Sequence, residues 1–184
     1  MNEEMLISFC SPTLAGLKTG NIFNCTRENF ADLKRDIRSY NKRFSKKGIR
    51  ILPLKTQEKS SLIYVYRPAK LKKDFLDEKV SSLLESKGYN SKNPSECVAK
   101  LIKNLKPHNE FPHEIGLFLG YPPEDVKGFI ENRGENAKAT GCWKVYHDRE
   151  GAEKLWEKYR KCSKIYKDRF HGGYTLEKLT IMSR

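Results

Sequence analysis

Apolar residues recur at three- and four-residue steps from Phe30 through Leu33, Ile37 and Tyr40 to Phe44. That period predicts a helix from Thr26 that ends in the basic turn Lys46-Lys47 before Gly48. IRILPLK and LIYVYRP are rich in β-branched and aromatic residues and flank the polar loop TQEKSS, so they predict an antiparallel hairpin, with NIFNC a short strand before it. A second helix is predicted over residues 70–87, with Phe75, Val80, Leu83 and Leu84 inside and Gly88 as its stop. Asn93-Pro94-Ser95-Glu96 opens a third, with Val98, Leu101, Ile102 and Leu105 inside and Pro107 ending it. Trp143 and Val145 alternate with Cys142, Lys144 and Tyr146, the pattern of a half-buried strand, before a long charged helix over residues 149–170 and a short helical tail. At the start of the chain, Ser11-Pro12 reads as a cap with proline in the first helical position, opening a short turn or helix through Leu17 that ends at Lys18-Thr19-Gly20. Helices outnumber strands and do not alternate with them. The expectation is a single α+β domain over residues 1–184, with a small, mainly antiparallel sheet packed with several helices.

The most patterned stretch is FPHEIGLFLGYPPEDVKGFIENRG, residues 111–134. Ile115, Gly116, Leu119, Gly120, Val126 and Ile130 fall where a helix-turn-helix places a small residue, a turn glycine and a crossing apolar residue, which predicts such a pair at about 113–132. Pro122-Pro123-Glu124-Asp125 suits a helix start, with acids at the positive end of the dipole. As a DNA reader it is poor. Its second helix would present Glu124, Asp125, Lys127, Gly128 and Glu131 to solvent, and acids repel phosphates.

Charge sharpens this. The 184-residue chain carries a net +13, yet residues 27–73 hold 15 basic and 4 acidic residues while residues 110–133 hold 2 basic and 5 acidic. The alternative reading, a nucleic-acid-binding or regulatory module, therefore rests on the basic face of the first long helix, Lys34, Arg35, Arg38, Lys42 and Arg43, more than on the helix-turn-helix-like pair, and is not the favoured one. With 38% hydrophobic residues and no apolar run near the about 20 needed to span a bilayer, no membrane segment is expected. MNEEMLISFCSP has neither a basic n-region nor a long apolar h-region, and five scattered cysteines form no C-x-x-C pair. Both point to a cytoplasmic protein with reduced, buried thiols.

Candidate chemistry centres on His113 and Glu114, adjoining after a proline at a helix start. His113 is a candidate acid, base or ligand; the plainer reading is a hydrogen-bonded structural histidine with Glu114 capping the helix. Position 117 is Leu117, so H-E-x-x-H is absent, and a metal or haem reading rests on His113 with His108 or a cysteine. Thr13 and Lys18 in SPTLAGLK, Arg67 after a strand, and Tyr121, Lys144 and Tyr146 are the other candidate lining residues. Hydroxyls and cations gathered at strand ends suit a carboxylate or phosphate. SPTLAGLK is not a Walker loop. The leading reading is a protein that binds a small anionic ligand or cofactor, with charge complementarity from Lys18, Arg67 and Lys144 and proton transfer or ligation by His113 and Glu114. No motif names the cofactor, the reaction or the oligomeric state.

SPTLAGLK, LIYVYRP, the FPHEIG-to-GFI block, and GCWKVYHD followed by a helix reaching Cys162 resemble the landmarks of a bacterial family of uncharacterised proteins of about this length, a domain of unknown function. The resemblance covers nearly the whole chain. It implies a single cytoplasmic domain and assigns no activity.

Overall fold

The computed structural model describes residues 1–26, 30–105 and 110–182. Along the chain the elements are α1 (Glu3–Leu14), β1 (Gly20–Thr26), α2 (Phe30–Phe44), a 3-10 turn (Ser45–Lys47), β2 (Arg50–Thr56), β3 (Ser60–Tyr66), α3 (Pro68–Asp74), α4 (Glu78–Ser86), α5 (Pro94–Asn104), α6 (Ile115–Phe118), α7 (Pro123–Glu131), β4 (Ala139–Thr140), β5 (Lys144–Val145), α8 (Arg149–His171) and α9 (Leu176–Leu179). The fold class is α+β with antiparallel pairing throughout the described strands, as the patterning predicts. Two compact units are distinguished: residues 1–69 with 161–184, and residues 70–160.

In the first unit β3 is the central strand of a β1-β3-β2 sheet, pairing Gly20 with Tyr66 on one side and Arg50 with Tyr66 on the other. Its apolar run explains the place, because Ile63, Tyr64 and Val65 are all fully buried and a middle strand covers both faces. The β2 register slips between Pro53 and Lys55, at a proline that has no N–H for the ladder. The predicted stripe of α2 is buried from Leu33 to Phe44 against Leu6, Ile7 and Cys10 of α1 and Phe23, Ile51 and Val65 of the sheet. Each such large side chain contributes about 1.5–3 kcal/mol. Lys34, Arg35, Arg38, Lys42 and Arg43 lie on the exposed side of α2, as expected. Gly48, at φ 74°, ends the 3-10 turn in the left-handed region.

Two expectations need correction. The first helix does not open at Ser11-Pro12. It starts at Glu3, capped by Asn2 accepting from Met5 N–H at 3.0 Å, with Glu3 and Glu4 in its first turn, and runs through Pro12 to Leu14. Ser11 is a helical residue whose hydroxyl donates back to the Ile7 carbonyl. Pro12 has no N–H for the carbonyl four residues back, so α1 forgoes one backbone hydrogen bond in its last turn. The single helix expected over residues 70–87 is also broken, into α3 and α4. Asp77 turns its carboxylate onto the N–H groups of Lys79 (2.8 Å) and Val80 (3.2 Å), a capping geometry that starts a new helix.

In the second unit α6 is a single turn, shorter than a usual helix-turn-helix member, and α7 follows it after Gly120 at φ 76°. The pair expected at about 113–132 is thus present. Gly116 permits it: a Cβ there would stand 2.7 Å from Val126 Cγ2. Phe75 meets Phe118 edge to face at 5.3 Å, and Tyr89 tilts against Phe118 at 5.7 Å. A second apolar cluster gathers Trp143, Val145, Ala152, Trp156 and Tyr159, so the alternation around β5 holds, with Lys144 outside. Pro107 lies outside the described residues.

Candidate functional site

The ends of α4, α5 and α7 and the segment before α6 line a cavity of about 1040 Å³ in the second unit, a depression open to solvent. Glu110, Phe111, His113 and Glu114 line it from the segment before α6, Lys87 from the end of α4, and Arg133 from the turn after α7. That turn is bent by two successive left-handed residues, Arg133 at φ 51° and Gly134 at φ 79°. An arginine in this region costs about 1–2 kcal/mol, which only its surroundings can offset.

Glu114 is the most constrained of these groups. Its residue is 6% exposed, and Oε1 accepts a 2.7 Å hydrogen bond from the Tyr89 hydroxyl, which in turn accepts from Asn104 Nδ2 at 3.0 Å. Burial first, then the hydrogen bond to Glu114, hold the Tyr89 hydroxyl far above the ordinary phenol range. Among the described residues Oε2 of Glu114 takes no hydrogen bond, although this carboxylate lies on the cavity wall. Glu114 does not cap α6; its side chain serves Tyr89 instead. Its neighbour His113 is exposed and packs between the rings of Phe111 (5.6 Å) and Phe129 (4.9 Å), without a hydrogen bond to Glu114.

Tyr121, Lys144 and Tyr146 are not on this wall. Tyr121 donates to the Cys142 carbonyl at 3.0 Å and stacks on Trp143, while Lys144 Nζ donates to the Gly134 carbonyl at 2.6 Å. The Tyr146 hydroxyl is buried without a hydrogen-bond partner among the described residues. Thr13, Lys18 and Arg67 lie in the first unit. Thr13 Oγ1 donates to Asn21 Oδ1 at 2.7 Å, and Lys18 is buried near the Cys10 thiol. Arg67, 2% exposed, donates to the carbonyls of Thr13 (2.7 Å), Leu14 (2.7 Å), Ile181 (2.9 Å) and Lys47 (3.2 Å). Two of those carbonyls end α1, so this guanidinium acts as a C-cap.

The acidic face read for α7 also needs correction. Asp125 does not reach solvent: it is 2% exposed and accepts from Trp143 Nε1 (2.7 Å), Tyr146 N–H (2.8 Å) and His147 N–H (2.9 Å). A Cβ on Gly128 would stand 2.6 Å from the Tyr146 side chain, so that position is covered too. Glu124 pairs with Lys79 at 2.5 Å, and that hydrogen bond lowers its carboxyl below the usual range. On the basic face of α2, Arg35 pairs with Asp32, and Arg43 with Glu3 and Glu177. Among the described residues no three His, Cys, Asp or Glu side chains are grouped to hold a metal ion, and His108 lies outside them. Nor, among those residues, is any helix long and apolar enough to cross a membrane.

A family model described as a protein of unknown function (DUF3793) matches residues 6–180, nearly the whole chain. The chain belongs to the DUF3793 family. No curated protein and no solved structure matches it. Membership in the DUF3793 family agrees with the expected likeness to an uncharacterised domain family and leaves activity to be argued from the cavity.

Lys87, Tyr89, Glu110 and Arg133 are the wall and support residues that sequence reasoning missed. Gly88 after a predicted helix and the NRG turn after another mark Tyr89 and Arg133 as loop residues, but neither signal brings them to one place.

Proposed function

We propose that the protein binds a small polar ligand in the cavity around Glu114. The observation that carries this reading is the Glu114 carboxylate on the wall, with one oxygen held by Tyr89 and the other without a hydrogen-bond partner among the described residues. Solvent reaches that second oxygen, and a ligand donor can take the place of the water there. An anionic group on the ligand is favoured by Lys87 and Arg133 on the same wall. These two cations take the role that the sequence suggests for Lys18, Arg67 and Lys144. His113, exposed on the same wall, is the imidazole there that can give or take a proton.

The test is a thermal-shift screen of the purified chain against a panel of small carboxylates, phosphates, amines and amino acids, repeated with Glu114→Gln. A compound that raises the melting temperature of the parent and not of E114Q supports the reading. Equal shifts for both proteins, or none with any compound, oppose it.

A further inference from the structure

Among the described residues four charged side chains line the cavity, Glu110 and Glu114 against Lys87 and Arg133. Among the described residues none of the four makes an ion pair within 4.0 Å, in a chain whose exposed helices pair Arg149 with Glu153 and Lys154 with Glu150. Among the described residues, two charges of each sign therefore share one depression, none with a counter-ion within 4.0 Å. Such a wall matches neither a simple anion nor a simple cation, because each would meet two like charges. It matches a molecule that carries both signs.

We propose that the ligand is a zwitterion of the amino-acid type, with its ammonium group on Oε2 of Glu114 and its carboxylate between Lys87 and Arg133. This rests on the reading of the cavity as a ligand site. An ammonium group supplies a donor to the solvent-reached carboxylate oxygen that Tyr89 leaves open. The planar arginine fork suits a carboxylate in two-point contact. Phe111, 49% exposed and packed on His113, offers the ligand's side chain an apolar shelf at the opening. Glu110, exposed beside it, adds a second negative charge that repels ligands lacking an ammonium group.

The experiment is a titration of the ¹⁵N-labelled full chain with each of the twenty protein amino acids, read at the amides of residues 110–114 and 130–133. The best binder is then compared with its decarboxylated amine and its deaminated acid. The expected result is saturable shifts with at least one amino acid and at least tenfold weaker binding of both analogues. Glu114→Gln should weaken the parent amino acid at least tenfold and leave the deaminated acid unchanged. Lys87→Ala with Arg133→Ala should weaken the parent and leave the amine unchanged. The proposal is overturned if no amino acid shifts these amides, or if the deaminated acid binds as tightly as its parent. Shifts from a compound of single charge alone would overturn the ligand class while leaving the cavity as a binding site, whereas silence of these amides toward every compound tested would remove both.

Discussion

The hydroxyl of Tyr89 donates a 2.7 Å hydrogen bond to Oε1 of Glu114 across 25 residues of chain. The bond fixes a buried carboxylate in one orientation, and it does so from a residue that immediately follows the left-handed Gly88. Tyr89→Phe removes the donor and leaves Asn104 without its acceptor. A hydrogen bond to a charged group is worth about 1.5–3 kcal/mol, so urea unfolding of Y89F should show a loss of that size. Glu114→Gln keeps an acceptor for Tyr89 and should lose about 1 kcal/mol or less. A Y89F protein as stable as the parent would mean that the bond carries no weight in solution.

Asp125 gives the strongest structural prediction. Its two oxygens accept three N–H donors, so Asp125→Asn turns an amide N–H₂ toward one of them. The expected cost is about 2 kcal/mol, with a change in tryptophan emission because Trp143 Nε1 loses its charged acceptor. Unchanged emission and stability would contradict the placement of Asp125 inside the fold.

Arg67 tests the same logic in the other unit. Lysine has one nitrogen where the guanidinium serves four carbonyls, and Arg67→Lys should cost about 3 kcal/mol or more by leaving buried acceptors unmet. Loss of less than about 1 kcal/mol in a denaturant titration would show that water replaces the guanidinium.

Alkali should destabilise the protein through its tyrosines. Burial lifts the hydroxyls of Tyr66, Tyr89, Tyr121, Tyr146, Tyr159 and Tyr166 above the ordinary value of 10.0, those of Tyr159 and Tyr166 to about 12. Above pH 10 the unfolded chain releases phenol protons that the folded chain retains, so the folded state binds more protons and stability falls as pH rises. The stability these groups contribute is complete below pH 10 and is lost as pH climbs toward 12. Urea midpoints at pH 8 and at pH 11 check the sign; a higher midpoint at pH 11 would contradict it.

Periodicity made most elements legible. The α2 stripe, the β2–β3 hairpin, the Asn93 cap of α5 and the close approach at Gly116 follow from local rules and are present. Ser11-Pro12 imitates a helix start in the sequence, whereas the Asn2 cap opens the helix nine residues earlier. The break at Asp77 shows in the spacing, since Phe75 and Val80 stand five residues apart, off the helical step that Val80 and Leu84 keep, but burial of all three on either side hides it. The site was legible only in its nucleus. His113 and Glu114 stood out as neighbours, but the cations beside them come from Lys87 and Arg133, residues in turns whose meeting depends on how α4 and α7 pack. Lys144, in turn, looked available on a strand and is bonded to a turn carbonyl.

The most direct test of the central claim is native mass spectrometry of the parent protein and Glu114→Gln, purified gently in parallel and compared with the same samples denatured. The account predicts that, with the best compound from the screen added, a single small mass stays on the parent in the native spectrum, leaves on denaturation, and is absent from E114Q at equal concentration. The same occupancy on both proteins, or a parent chain that stays bare at saturating compound, would contradict it.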